Sequence, residues 1–196
     1  MARWDPHTEE RLRAAAIELF ADFGYEQTTV AAIAERAGLT SRTFFRYFAD
    51  KKEVLFHGSS QLQELMVEAL ANAPATAGPI EAMAASLAAV AGYFDDGRRT
   101  FARQRHAIVA ANSELYEREV MKLSTLSAAL AVALCARGIA GPDAALLGES
   151  AIAIFHVTFR RWVARGERRS FRDLVWESLA RWRALAAEGA VSHDPT

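Results

Sequence analysis

The chain has 196 residues, of which 52% are hydrophobic and 24% are charged, and its formal net charge is −1. This length predicts one or two globular domains, and the charge provides no global attraction to nucleic acid. Its one cysteine, Cys135, excludes an intrachain disulfide and favours a reducing compartment. The N-terminus lacks a signal-peptide pattern, and the longest nearly apolar run, 126–136, is shorter than the roughly 20 residues of a membrane-spanning helix. We therefore expect a cytoplasmic protein without membrane contact.

The composition favours helices throughout. Proline is scarce and alanine is abundant, and no segment alternates apolar and polar β-branched residues over several positions. We predict an all-α fold of about nine helices. The first helix can begin at Asp5-Pro6 and end at Gly24. Its apolar stripe consists of Leu12, Ala15, Ala16, Leu19, Phe20 and Phe23.

Residues 28–55 predict two short helices joined by a turn. Gly38 stands where the first of them must stop, and the hydroxyl of Thr40 can cap the start of the second. Two helices joined by a turn of three or four residues that contains glycine form a helix-turn-helix, whose second helix reads the DNA major groove. The apolar positions are Val30, Ile33, Ala34 and Ala37 in the first helix and Phe44 and Phe48 in the second.

The segment after this motif predicts a long fourth helix over 51–71. Asp50 can cap its N-terminus, with Glu53 three residues later as in a capping box. Lys51 and Lys52 are unfavourable for the helix dipole but suit a bound phosphate, so we expect an anion there. The stretch from Arg36 to Lys52 contains five basic residues and one acidic residue, so the attraction to DNA is confined to this part of the chain.

This part of the chain resembles the TetR family of transcriptional regulators, over about residues 8–68. One position differs, because Phe45 stands where the family usually has tyrosine and so lacks a hydroxyl for phosphate. The stretch 42–48 is similar to an actinobacterial branch of the family, and the segment 105–162 resembles a C-terminal class with acyl-CoA-like ligands. The matching residues are Ala16, Phe20, Gly24, Tyr25, Thr28, Thr29, Val30, Ile33, Ala34, Ala37, Gly38, Thr43, Phe48 and Lys51.

The resemblance implies a DNA-binding domain over 6–66, with its helix-turn-helix at about 29–48, and a ligand-binding and dimerisation domain over 67–196. It implies a ligand-responsive repressor that binds a palindromic double-stranded DNA operator as a homodimer and is released by a small apolar, acyl-CoA-like effector, without a cofactor. We assign Thr29, Thr40, Thr43, Tyr47 and Lys51 to phosphate contacts. We assign Ser41, Arg42, Phe45 and Arg46 to contacts with base edges or methyl groups.

A breaker-rich loop over 72–79 precedes five further predicted helices, at about 80–94, 99–111, 113–137, 143–165 and 170–187, and a polar tail after Gly189. The family resemblance assigns the last two helices to dimer contact, whereas packing within one chain is the alternative. Their small and bulky apolar residues are Ala144, Ala145, Gly148, Ala151, Ile152, Phe155, Phe159, Leu174, Leu179, Trp182 and Leu185.

Ligand-lining residues resemble core residues in sequence, because pockets are mostly apolar with few polar groups. The arginines at 98, 99, 103 and 105 could receive a phosphate or carboxylate head group, or simply form a solvated face. The candidates, each of which is alternatively a core residue, are Phe56, Leu62, Met66, Tyr93, Phe94, Phe101, His106, Tyr116, Phe155, His156 and Trp162.

Two other classes of protein were weighed against a regulator. An enzyme would be favoured by a nucleophile elbow, a phosphate-binding glycine loop or a metal-binding histidine pair, and the sequence contains none of these motifs. A helix-turn-helix adaptor that contacts only proteins is the other alternative. We therefore predict that the chain is not an enzyme and holds no metal.

Overall fold

The computed structural model describes residues 6–190, which form α-helices, two short 3₁₀ segments and no strand. This confirms the predicted all-α fold. Asp5 and the tail beyond residue 190 lie outside the described residues. The helices are α1 Pro6–Phe23, α2 Val30–Arg36, α3 Ser41–Tyr47, α4 Glu53–Phe56, α5 Ser59–Ala71, α6 Pro79–Ala89, α7 Arg99–Ala110, α8 Ser113–Ala136, α9 Gly141–Trp162 and α10 Phe171–Ala190, with 3₁₀ segments at Val90–Gly92 and Asp96–Arg98.

The prediction of one long fourth helix over 51–71 is wrong. The chain leaves the helical conformation at His57, with ψ of 135°, and Gly58 has φ of 90°. A positive φ lies outside the right-handed helical region and is accessible to glycine at little cost. Two helices therefore replace one, and α4 comprises four residues.

The described chain divides into two compact units. The first unit contains the residues up to Ser59 together with 101–120, and the second contains 60–100 together with those from Met121 onwards. The sequence placed 101–120 in the second domain, whereas the structure packs these residues with the first unit. The end of α7 and the start of α8 are therefore part of the unit that holds α2 and α3.

The first unit buries one continuous hydrophobic core. All but one of the predicted stripe residues of α1 are buried with the inner sides of α2, α3 and α4, and residues from α7 and α8 complete the core. The prediction was wrong for Phe23, the last residue of α1, which is 61% exposed. Such burial stabilises by roughly 25 cal/mol per Å² of apolar surface. Its most deeply buried members include Leu12, Ala16, Ile33, Phe44, Val109 and Leu115.

The second unit buries most residues that the sequence offered for dimer contact. Ala144, Ala151 and Phe155 on α9 are buried within this chain, as are Leu174 and Leu179 on α10. Packing within one chain, the alternative stated above, therefore describes these positions. Exposed apolar side chains occupy other positions on the same helices.

Helix α8 is long and apolar enough to cross a membrane by length and composition, with a mean hydropathy of 1.5 and 22% of that stretch buried. Its first ten residues include Glu114, Glu117, Arg118, Glu119 and Lys122. The apolar character is therefore confined to its C-terminal part, where Cys135 is exposed.

Candidate nucleic-acid interface

Helix α2 is closed at both ends by groups that the sequence supplies. The Thr29 hydroxyl accepts a hydrogen bond from the Ala32 amide at 3.1 Å. At the other end Gly38, with φ of 66°, allows its own amide to donate to Glu35 and the Leu39 amide to donate to Ala34. This pair of bonds is a Schellman motif, which ends α2 and turns the chain toward α3.

Helix α3 begins with Thr40 as its N-cap. The Thr40 hydroxyl accepts from the Thr43 amide at 3.2 Å, and the two hydroxyls lie 3.1 Å apart. A cap of this kind contributes about 1 kcal/mol to helix stability. The start of α3 is therefore fixed by the side chains of Thr40 and Thr43.

The two faces of α3 differ completely in exposure. Phe44 is 0% exposed and its ring centre lies 5.2 Å from that of Phe48 in a tilted arrangement, whereas the neighbouring Phe45 is 56% exposed. Arg42 and Arg46 are exposed on the same outward side. An exposed helical face with two guanidinium groups and one aromatic ring can hydrogen-bond base edges and contact thymine methyl groups.

Tyr47 was assigned to a phosphate contact, but its side chain is not exposed. It is buried, and the Arg46 guanidinium lies 5.1 Å from its ring centre. Ser41 and Thr43 are partly buried at the first turn of α3. Arg42, Phe45 and Arg46 therefore supply most of the outward surface of this helix.

Lys51 joins the segment after α3 to the turn before α2. Its ammonium donates to the carbonyl oxygens of Tyr25 at 2.7 Å and Thr28 at 3.0 Å, and it lies 4.0 Å from the Tyr25 ring centre. Because both acceptors are uncharged, Lys51 keeps its full positive charge. An ammonium has three donors, and these two bonds use two of them.

Lys52 has a different partner. Its ammonium forms an ion pair with the carboxylate of Glu114, at the start of α8. The neighbouring Asn112 donates to Glu26 at 2.8 Å and accepts from the Leu115 amide at 3.1 Å. We call residues 111–114 the α7–α8 corner, which thus contacts both chain segments that border the helix-turn-helix.

Tyr25 records the electrostatic environment of this region. The pKa of Tyr25 is raised from 10.0 to about 12, chiefly by burial and to a smaller extent by the carboxylates of Glu114, Asp50 and Glu26. Asp50 accepts a hydrogen bond from the Glu53 amide at 2.9 Å, as expected for a side chain that caps the start of α4. The anion expected at this helix start stays a prediction.

Sequence reasoning missed the ionic contacts that join α4 to α7 and α8. Arg105 donates to the Leu55 carbonyl and to Glu119, each at 2.7 Å, and Arg118 pairs with Glu53. The arginines near 98–105 were considered as ligands for a head group. Arg105 instead serves the first unit, and only its place in the fold reveals this.

The ligand candidates do not form one group. Four of the candidates, Phe56, Phe101, His106 and Tyr116, belong to the first unit, and the others belong to the second unit. Met66 is fully buried, whereas Leu62 and His156 are partly buried. The seven candidates in the second unit are Leu62, Met66, Tyr93, Phe94, Phe155, His156 and Trp162.

An aromatic cluster brings together three candidates of the second unit. The Phe94 ring lies 5.7 Å from Phe155, 5.6 Å from Trp162 and 4.6 Å from Phe171. Trp162 is completely buried, yet its indole N–H has no hydrogen-bond acceptor among the described residues. A buried unsatisfied donor costs about 1–3 kcal/mol.

Arg99 lies beside this cluster, 5.2 Å from the Trp162 ring. It is buried and donates to the Glu167 and Arg169 carbonyls and to Asp96, each at 2.6 Å. These contacts make Arg99 a structural residue that fixes the loop between α9 and α10. A head group would have to displace them.

Two surface cavities were found in the second unit, of about 400 and 640 Å³. Neither is lined by a predicted ligand residue. Within residues 6–190 no group of three or more histidine, cysteine or acidic side chains could hold a metal ion. The linings are Val67, Ala71, Ala129, Val132, Ala133, Ala136 and Arg137 for the smaller cavity, and Gly78, Pro79, Ile80, Glu81 and Arg183 for the larger one.

Comparison with known proteins finds similarity to transcriptional regulators in the N-terminal part of the chain. Residues 12–57 match the family described as "Bacterial regulatory proteins, tetR family". The HTH-type transcriptional regulator TcmR from Streptomyces glaucescens is 43% identical over 90 residues, which are 46% of this chain and 40% of TcmR. The aligned region thus spans less than half of that relative. Both matches are to transcriptional regulators.

Solved structures extend the likeness in fold over most of the chain. FadR from Bacillus subtilis in complex with stearoyl-CoA has a TM-score of 0.59 at 23% identity, covering 87% of this chain and 95% of its own. A TetR-family regulator from Mesorhizobium loti has a TM-score of 0.58 at 19% identity, covering 94% and 98%. Identities this low establish the shared helical fold alone.

Proposed function

We propose, from the premise that this chain is a TetR-family transcriptional regulator, that it is a cytoplasmic homodimeric repressor of a palindromic operator. The observation that carries this proposal is the outward face of α3. Arg42, Phe45 and Arg46 are exposed on a helix that is capped at its start and buried on its other side. A helix presented in this way fits the major groove, where side chains distinguish base pairs.

The phosphate contacts follow from the same geometry. Thr29 and Thr40 stand at helix N-termini, where hydroxyls and free amides favour an anion. Lys51 has one donor and its full charge left for the backbone. These groups would set the position of α3 on the duplex, while the arginines supply sequence preference.

A dimer is supported by exposed apolar side chains on α9 and α10. Leu146 is 67% exposed and Val157 is 54% exposed, and with Ala153 they lie on one face of α9. Trp176 is exposed on α10. A two-fold dimer through this surface would present two α3 helices to half-sites about one helical turn apart or a multiple of it.

Selection of DNA by the purified protein tests the proposal. Genomic fragments retained by the protein should share an inverted repeat, and a duplex with that repeat should be retarded more strongly than a scrambled duplex of equal length. Absence of any retained sequence, with no retardation at low salt, would overturn the proposal and leave the protein-binding adaptor as the alternative.

We propose further that a small apolar molecule, acyl-CoA-like in its chemistry, binds the second unit and releases DNA. The aromatic cluster supplies apolar surface, and the unsatisfied N–H of Trp162 would gain an acceptor from a ligand oxygen. The stearoyl-CoA complex of FadR, a protein with this fold, motivates the choice of ligand. A ligand acts only through its different affinities for the DNA-bound and free forms.

Titration of acyl-CoAs with varied chain length tests this second proposal. A ligand that weakens operator binding must bind the operator complex more weakly by the same factor. Trp162→Phe, which keeps an aromatic ring but removes the N–H, should weaken the ligand about 5- to 10-fold while leaving operator affinity unchanged. Equal binding of every acyl-CoA to both forms, or no binding at all, would exclude this effector class.

A further inference from the structure

Two neighbouring lysines after α3 are held by chemically different partners. Lys51 contacts the uncharged carbonyls of Tyr25 and Thr28, whereas Lys52 is paired with the carboxylate of Glu114. The charge of Lys51 is therefore available to a polyanion, and that of Lys52 is cancelled locally. Only one of the two cations at this edge of the first unit can contribute fully to phosphate binding.

The carboxylate that cancels Lys52 is held in place by the fold. Glu114 is in the first turn of α8, and the adjacent Asn112 is bonded both to Glu26 and to the Leu115 amide. Glu114 also raises the pKa of Tyr25, whose carbonyl binds Lys51. The α7–α8 corner thus places a negative charge beside the groups proposed to contact the DNA backbone.

We propose that Glu114 limits non-specific DNA binding by keeping Lys52 from the phosphate backbone. The side chains of Lys52 and Glu114 are 29% and 55% exposed, so solvent and DNA can both compete for the pair. Backbone contacts add affinity for every sequence alike, whereas base contacts add it for the operator only. A regulator is therefore more selective for its operator when one lysine is kept from contacting the DNA backbone. This inference rests on the proposed DNA-binding function.

Removal of the carboxylate should therefore strengthen binding. Glu114→Gln frees Lys52 for one further phosphate contact, which makes the slope of log affinity against log salt steeper by about 0.9. At about 0.1 M salt that contact corresponds to a gain of about 3- to 10-fold on any duplex. The gain should be equal on operator and scrambled DNA.

A matched control separates the ion pair from the general effect of removing a negative charge. Glu117 is exposed one turn later on α8. Glu117→Gln removes the same charge and should change affinity less than about twofold, with the salt slope unaltered. Lys52→Gln should also leave the slope unaltered, because the lysine is already neutralised in the wild type.

The experiment measures fluorescence anisotropy of a scrambled duplex over a salt series with wild type, Glu114→Gln, Glu117→Gln, Lys52→Gln and the Glu114→Gln/Lys52→Gln double variant. Thermal unfolding of each variant verifies the fold. We expect the double variant to show none of the gain in DNA affinity that Glu114→Gln alone produces. The proposal would be overturned if Glu114→Gln gave no gain in DNA affinity. It would also be overturned if the gain persisted in the double variant or if Glu117→Gln produced the same gain. A wild-type protein that binds no DNA would instead refute the proposed function.

Discussion

The aromatic side chains of α3, in the first unit, and of α9, in the second unit, differ in their exposure to solvent. In α3 the adjacent Phe44 and Phe45 point to opposite sides, one fully buried and one exposed. In α9 Phe155, Phe159 and Trp162 are all buried in one cluster with Phe94 and Phe171. An exposed aromatic side chain on a short, capped helix is informative about function. A buried one contributes to the core whether or not it also contacts a ligand.

The largest expected effect follows from the assignment of exposed residues to dimer contact in the second unit. Val157→Glu should yield monomers, because a two-fold interface places the unpaired charge twice. Operator affinity should then fall at least about 100-fold, since one reading head is lost. Sedimentation and DNA titration measure both changes.

The matched control for this substitution is Val132→Glu, which places the same charge at an exposed valine of α8. It should leave both the dimer and its operator affinity intact. A Val157→Glu protein that still sediments as a dimer would move the interface away from this face of α9.

A smaller effect tests the buried residues of the same helix. A Cβ at Gly148 would lie 2.7 Å from the backbone oxygen of Ser127 on α8, closer than packed atoms allow. Gly148→Ala should lower the free energy of unfolding by about 1–2 kcal/mol, after the gain in helix propensity is included. Chemical denaturation measures this at several protein concentrations.

Gly141→Ala is the control, because a Cβ there meets no atom within 4 Å. This variant should be neutral or slightly stabilising. If Gly148→Ala behaved like Gly141→Ala, the close approach of α8 and α9 would be refuted, and small residues of α9 would regain a place in the dimer interface.

The smallest effect concerns the first unit at high pH. The pKa of Tyr25 is raised from 10.0 to about 12, so between these values the unfolded chain loses a proton that the folded chain keeps. Stability should therefore be complete below pH 10 and fall as the pH rises to about 12. Tyr25→Phe should remove this part of the decline, and Tyr116→Phe, at an exposed position, should not.

The helices of the first unit were predictable because their signals are local. Thr40 caps α3 as expected, Gly38 takes the positive φ that its turn needs, and the inward positions repeat at helical spacing. The cap that Thr29 forms on α2 was not predicted. The break at Gly58 was missed, because a lone glycine within an otherwise helical pattern is often tolerated.

The contacts that could not be predicted join residues distant in the sequence. Lys52 pairs with Glu114 and Arg105 binds the carbonyl of Leu55, across separations of 62 and 50 residues. No spacing rule links such positions. The sequence also could not distinguish ligand-lining residues from core residues, because both positions require the same apolar side chains.

The claim that the outward face of α3 reads bases is tested most directly by Arg42→Ala, measured on the selected operator and on a scrambled duplex. We predict a loss of about 1–3 kcal/mol on the operator and a much smaller loss on the scrambled duplex. Lys51→Gln should instead weaken both alike and reduce the salt slope by about 0.9. Equal losses on both duplexes for Arg42→Ala would contradict the account and assign Arg42 to the phosphate backbone.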